Sequence, residues 1–543
     1  MDQGAIAARG ATSVAAASGS ARRHDARPWD RLFAAAFLLI GIAKVWIAAT
    51  LPPFVDEAFY WQESRHLAWT YSDVPGLTAW LIAAGEALFG HSPLGMRSMF
   101  LVLGAALPWM VVVFVRSCFD ARAGWQAGLW TLAMPLAGTL GVLALPDVPL
   151  TWAALLALLA LDRALRSGSV RAWSLVGFAL ALAWLAHYRA AMLLAAGLVF
   201  FVVMPRGRAQ WRRVGVWLAL AISALGLLPL LVFNVTHAWR GLGFQFVERH
   251  PWAFHADALV QPLEQALVVT PVLFAALLAA LVSSWRRRHE GAPWDLIASI
   301  AGATLLAWFV LGLFADSERF RVHWPLQAWL FLIAVLPMAM RAWPPGLRRG
   351  LGIAGGLLAA IGGVIVLAWF AAATQPWAVT KLAQGKVFPN RFVGWNEAGE
   401  AARRLIANDT RARIVLVADN FMLAAELDFA LGGKRPVFVL DSPLNARHGR
   451  AMQLSLWQRD EQALRALAGS RVLLAVDETA LRERDRAAWL AGLCTRIAAL
   501  EPVERLDLYG GRKRIAFLTG VVPGQHGAPG CAYPFAATGS RRL

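Results

Sequence analysis

Apolar runs about as long as a bilayer is thick recur through the first two thirds of the chain, separated by short segments that hold most of its charges. A span needs about twenty mostly apolar residues. Runs of that kind predict helices near 33–50, 97–116, 124–144, 148–165, 172–187, 189–204, 213–233, 266–284, 295–314, 324–340 and 350–372, eleven in all. His187-Tyr188-Arg189 reads as a turn between two of them, because one helix through it would run about 50 Å. From residue 374 the pattern changes. Arg413–Ala418, Pro436–Leu440 and Arg471–Val476 are short apolar strands, and Glu397–Ala407 has helical spacing. The chain thus divides into a disordered tail rich in Ala, Ser, Gly and Arg (1–32), a membrane domain (33–373) and a soluble α/β domain (374–543).

Composition agrees: 58% hydrophobic and only 16% charged residues exclude an ordinary soluble protein. The formal charge of +18 does not imply a nucleic-acid partner, because the Arg residues sit mainly in short loops between apolar runs and no nucleic-acid motif is present. Those Arg residues set the orientation instead. Arg22, Arg23, Arg27 and Arg31 precede the first span, and clusters at Arg116/Arg122, Arg163/Arg166/Arg171, Arg206–Arg213, Arg286–Arg288 and Arg341/Arg348/Arg349 fall on the same side if there are eleven spans. The N-terminus is then cytoplasmic, and the loop 51–96 and the α/β domain lie outside. The first apolar run lacks a convincing cleavage site and reads as a retained signal anchor.

On the outer side, polar residues are concentrated. The loop 51–96 carries Asp56, Glu57, Glu63, Arg65, His66 and Asp73 among aromatic residues, and Leu77, Trp80, Leu81, Ala84 and Leu88 follow Pro75-Gly76 at helical spacing. Asp147 stands between two prolines at the head of an apolar span, where a carboxylate is costly unless solvated or paired; capping that helix is the plainer explanation. An ordinary solvated loop is the plainer reading of 51–96. The α/β domain has neither a Gly-rich phosphate loop nor a metal-spaced Cys or His cluster, and no catalytic role is assigned to it. Cys494 and Cys531 pair or stay as two buried thiols; both readings stand.

Val55-Asp56-Glu57-Ala58-Phe59-Tyr60-Trp61, Tyr71-Ser72-Asp73-Val74-Pro75-Gly76-Leu77 and Pro146-Asp147-Val148-Pro149-Leu150 resemble, in order and spacing, segments of bacterial family 39 glycosyltransferases. These are polyprenyl-phosphate-sugar-dependent relatives of the protein O-mannosyltransferases and of the lipid A aminoarabinose transferase. Asn234-Val235-Thr236-His237-Ala238-Trp239 and Arg321-Val322-His323-Trp324-Pro325 also fit, so the resemblance runs over roughly 33–370. The family often has Lys where this chain has His187, and Asn where it has His323.

The resemblance implies a polytopic α-helical membrane protein with the C-type glycosyltransferase fold, of about eleven spans, in the inner membrane. It implies transfer of a sugar from polyprenyl phosphate to a lipid, glycan or protein acceptor, with inversion. Asp56 would be the general base, with Asp147, Asp73 and Glu57 beside it. Arg189, Arg321, Arg319 and His187 would meet the donor phosphate, and Asn234, His237 and His323 would complete the pocket. No cofactor is assigned; Asp73 and Asp147 orient the acceptor or sugar or hold a divalent metal, and both readings stay open. The competing class is a transporter or flippase of a lipid-linked substrate, against which stand the absence of an evident internal repeat and the clustering of acids at one surface. An inactive scaffold is opposed by the retained acids.

Overall fold

The computed structural model describes residues 28–315, 322–409, 414–524 and 533; the expected disordered tail lies largely outside them. A helix answers each of the eleven apolar runs, but their lengths differ. Among the described residues six are long and apolar enough to cross a membrane: Pro28–Thr50, Pro93–Cys118, Asp147–Ser167, Val214–Thr236, Trp294–Gly312 and Pro345–Ala373. A seventh is reached if Ala256–Val269 and Pro271–Arg286, bent by 111° at Thr270, count as one. Val170–Ala186, Ala190–Val203 and Leu326–Arg341 are shorter apolar helices, and the run at 124–144 ends at Ala133, where Met134 leaves helical geometry and Pro135 follows. Eleven full-length spans are therefore not present among the described residues.

Local chemistry sets the helix ends. The Ser92, Asp120 and Ser169 side chains accept from the third following backbone N–H at the starts of Pro93–Cys118, Ala121–Ala133 and Val170–Ala186, and Gly168 ends Asp147–Ser167 in the left-handed conformation. Leu326–Arg341 is buried almost all round, which is why its sequence is apolar on every face. It lies in the main membrane-domain core with Leu158, Phe200 and Ile297.

The C-terminal sheet runs β2 (Val437–Val439), β1 (Val415–Ala418), β3 (Arg471–Asp477), β5 (Lys513–Val521), β4 (Ala498–Leu508). β1 is parallel to β2 and β3, and the β4–β5 hairpin joins β3 antiparallel. The three expected strands are β1, β2 and β3; β4 and β5 were not anticipated. Cys494 is disulfide-bonded, and Cys531 lies outside the described residues.

The segment after the first span is not a solvated loop. Residues Val55–Arg65 form a helix with nine of its eleven residues buried. Val55, Ala58 and Phe59 belong to the core of the C-terminal domain, packed with Trp395, Phe421 and Leu423. Phe59 meets Phe421 edge-on at 5.7 Å between ring centroids. Its opposite side, with Tyr60 and Trp61, packs on Met96, Phe100 and Val148 of the membrane domain. The helix Val55–Arg65 is thus a wedge between the two halves of the protein.

Candidate active site

Neighbouring helical residues point about 100° apart, so Asp56 and Glu57 have different fates. Glu57 is fully buried and its two oxygens are consumed. Arg97 pairs with it at 2.6 Å, and it accepts from the backbone N–H groups of Phe54 at 2.9 Å and Ala144 at 2.6 Å. Arg97 also donates to the carbonyls of Leu51 and Pro52. Glu57 therefore does not face the cavity as expected for a catalytic acid; it ties the helix Val55–Arg65 to the turn that leads to Asp147.

Asp56 faces a cavity of about 760 Å³ between the two domains, lined also by Asp73, Asp147, His187, Arg189 and His323. Its partner comes from the C-terminal domain. Arg450 Nη2 lies 3.3 Å from Asp56 Oδ1, while Nη1 bonds Asp73 Oδ2 and stands 3.8 Å from Glu63. The guanidinium sits over the rings of Phe59 and Tyr60 at 4.3 and 5.1 Å. Burial pushes the Asp56 carboxyl up, but Arg450, His448 and Arg391 outweigh it and hold the group below its ordinary value. Asp56 is ionised at neutral pH. Glu63, on the same helix and fully buried, has no hydrogen-bond partner for either oxygen among the described residues. Burial raises its pKa to about 8, with Arg450 only partly opposing.

Arg450 is aimed by its turn. Gly449, at φ +72°, precedes it with the ring of Phe244 so close that any side chain there would collide. Gln453 then accepts from the Ser72 N–H at 2.9 Å, and Gln245 donates to the Asp73 carbonyl at 3.0 Å. The Asp73 loop is clamped from both sides.

A second cluster stands at the ends of the apolar helices. Arg189 pairs with Asp147 at 2.6 Å, and His323 Nε2 lies 3.4 Å from the same oxygen. The Arg189 N–H donates to His187 Nδ1, and its guanidinium faces Trp324 at 5.3 Å. Arg249 bridges the two clusters, donating to Tyr188 Oη at 3.3 Å and to Gln245 at 2.9 Å.

Asn234 and His237 do not line the cavity. Asn234 donates to the Leu230 carbonyl and accepts from the Leu242 N–H, and His237 bonds Thr236 and the Phe233 carbonyl, so both shape the turn after their span. Arg319 and Arg321 lie outside the described residues. Among the described residues no group of three or more His, Cys, Asp or Glu is placed to hold a metal ion. The C-terminal domain, to which its sequence assigns no catalytic role, brings Arg450 to the cavity, and no local pattern marks that residue because its partners lie 377 and 394 residues away.

This arrangement, charged clusters at one end of a helical membrane domain beneath an α/β cap, is the C-type fold of membrane glycosyltransferases. Residues 73–233 match the family described as dolichyl-phosphate-mannose-protein mannosyltransferase, so the resemblance read from the motifs holds. The fold is similar to that of ArnT from Cupriavidus metallidurans. Its apo structure matches with TM-score 0.65 at 17% identity, over 91% of this chain and 98% of that one. Its complex with undecaprenyl phosphate matches with TM-score 0.64 at 16% identity, over 90% and 98%. No curated protein matches the chain by sequence.

Proposed function

We propose that this multi-pass protein transfers a sugar from a polyprenyl-phosphate carrier to a lipid, glycan or protein acceptor, with inversion, at the outer face of the inner membrane. The N-terminus is cytoplasmic and the α/β domain periplasmic in this reading. The observation that carries it is the single cavity holding an ionised Asp56 beside Arg450 and, on its membrane side, the Arg189–Asp147–His187 cluster with Arg249. The ArnT structure with undecaprenyl phosphate supports the choice of donor.

The acceptor hydroxyl is a poor nucleophile, so Asp56 takes its proton as oxygen attacks the anomeric carbon. The bond from that carbon to the phosphate oxygen breaks, and the electron pair leaves with the polyprenyl phosphate. Arg189 and Arg249 meet the charge that develops there. One displacement inverts the centre. Asp73 and Arg450 hold Asp56 in place.

Mass spectrometry of envelope lipids, glycans and proteins from cells with and without the protein tests this. A species present only with it, heavier than its precursor by one sugar residue, is expected. An unchanged envelope together with altered sidedness of a lipid-linked precursor contradicts the reading and indicates a flippase.

A further inference from the structure

The wall of the cavity that belongs to the C-terminal domain is chemically unlike the membrane wall. β1, β2 and β3 are parallel, and β1 has its crossover partner β2 on one side and β3 on the other. The crevice outside the carboxyl ends of such strands, where the order reverses, is where open α/β sheets bind ligands. Here Asp477 ends β3, and Thr479 and Arg482 follow it into the cavity lining, with Lys513 at the start of β5 beside them. The crevice opens onto the cavity that holds Asp56.

This wall is cationic. It contributes six Arg and Lys residues to the lining, Arg391, Arg447, Arg450, Arg482, Arg512 and Lys513, against one carboxylate, Asp477. Arg450 is committed to Asp56 and Asp73, and Lys513 to Asp477 at 2.6 Å. Arg391 is backed by the ring of Phe54 at 5.9 Å and makes no side-chain hydrogen bond or ion pair among the described residues. Arg512 is backed by Phe388 at 5.3 Å and, among the described residues, donates only to the Gly385 carbonyl. A guanidinium stacked on a ring keeps its in-plane N–H groups for a planar or tetrahedral anion.

From this we infer that the C-terminal wall is an acceptor subsite, and that the acceptor carries a carboxylate or phosphate near the hydroxyl that is glycosylated. The inference rests on the transferase reading above. In a displacement the acceptor enters opposite the leaving phosphate. The donor's lipid tail confines that phosphate to the membrane wall, at Arg189 and Arg249. The cations acting on Asp56 are instead Arg450 and Arg391, both from the C-terminal domain. Arg450 thus holds Asp56, on the Val55–Arg65 helix, against this wall, and Arg391 and Arg512 take the anionic group of the acceptor.

The full-length protein in lipid nanodiscs is titrated with glucuronic acid 1-phosphate, with glucose, and with undecaprenyl phosphate. Wild type is expected to bind the anionic sugar at least tenfold more tightly than glucose. The double variant Arg391→Gln/Arg512→Gln is expected to lose at least tenfold for the anionic sugar with undecaprenyl phosphate binding unchanged, which also shows that it is folded. Equal binding of the two sugars by wild type overturns the inference. So does a double variant that binds like wild type, or one that loses undecaprenyl phosphate as well, or loss of the anionic sugar on Arg189→Gln instead. A wild-type protein that binds the anionic sugar but not undecaprenyl phosphate upholds the anion wall and sinks the donor assignment, so the two failures are told apart.

Discussion

Arg450 reaches Asp56 across 394 residues of sequence, its Nη2 3.3 Å from the carboxylate, and the same guanidinium bonds Asp73. One cation from the C-terminal domain therefore fixes both Asp56 and Asp73. Removing one partner of a buried pair leaves an uncompensated charge and costs about 3–5 kcal/mol. Arg450→Gln should lower the melting temperature and abolish transfer, and Arg450→Lys should restore part of both. Because Arg450 holds the Asp56 carboxyl below its ordinary value, any residual activity of Arg450→Gln should show its acidic limb at higher pH. A pH–rate profile checks this, and an unmoved limb would separate Arg450 from the titrating group.

Glu63 gives a stability signature of opposite sign. Its carboxyl is raised from the usual 4.5 to about 8 in the folded protein, so between those values the native state holds a proton that the unfolded state has released. Stability should fall as pH rises from 5 to 8 through that window. Melting curves of Glu63→Gln across the same range should lack this part of the slope; an identical slope in both proteins would mean that Glu63 is already ionised.

The Glu57–Arg97 pair is predicted to be structural. Arg97→Met strands a fully buried carboxylate and should cost about 3–5 kcal/mol. Glu57→Gln should lower thermal stability while its folded fraction still transfers sugar. Loss of turnover at unchanged stability would return Glu57 to the catalytic set.

In the proposed reaction Arg189 meets the donor phosphate. A hydrogen bond to a charged group contributes about 1.5–3 kcal/mol, so Arg189→Gln should weaken undecaprenyl phosphate binding by roughly tenfold or more. Titration in nanodiscs measures it directly, and undiminished affinity would move the phosphate elsewhere in the cavity.

The sequence carried the order of the helices and three of the five strands, because apolar runs and period-two patterns are local signals. It also carried Asp56, Asp73, Asp147, His187, Arg189 and His323, which share the cavity. Helix lengths were less legible: Pro135 and the bend at Thr270 break runs whose composition is continuous. Glu57 was misplaced because adjacency in sequence means divergence on a helix. Arg450 and Arg97 went unmarked because an ion pair that closes over tens or hundreds of residues leaves no pattern near either partner. The burial of the Val55–Arg65 helix was hidden for a related reason. Its charges looked solvated, yet Glu57 pairs with Arg97 of the membrane domain and Asp56 with Arg450 of the C-terminal domain.

If the Asp56 carboxylate accepts the acceptor's proton, Asp56→Asn, which nearly preserves size, removes the base. Envelope fractions from cells with wild-type protein, with Asp56→Asn at equal abundance, and with none would be compared by mass spectrometry. A product one sugar residue heavier than its precursor is expected with wild type alone, and the variant's profile should equal that of cells lacking the protein. A wild-type profile from Asp56→Asn would rule out Asp56 as the base.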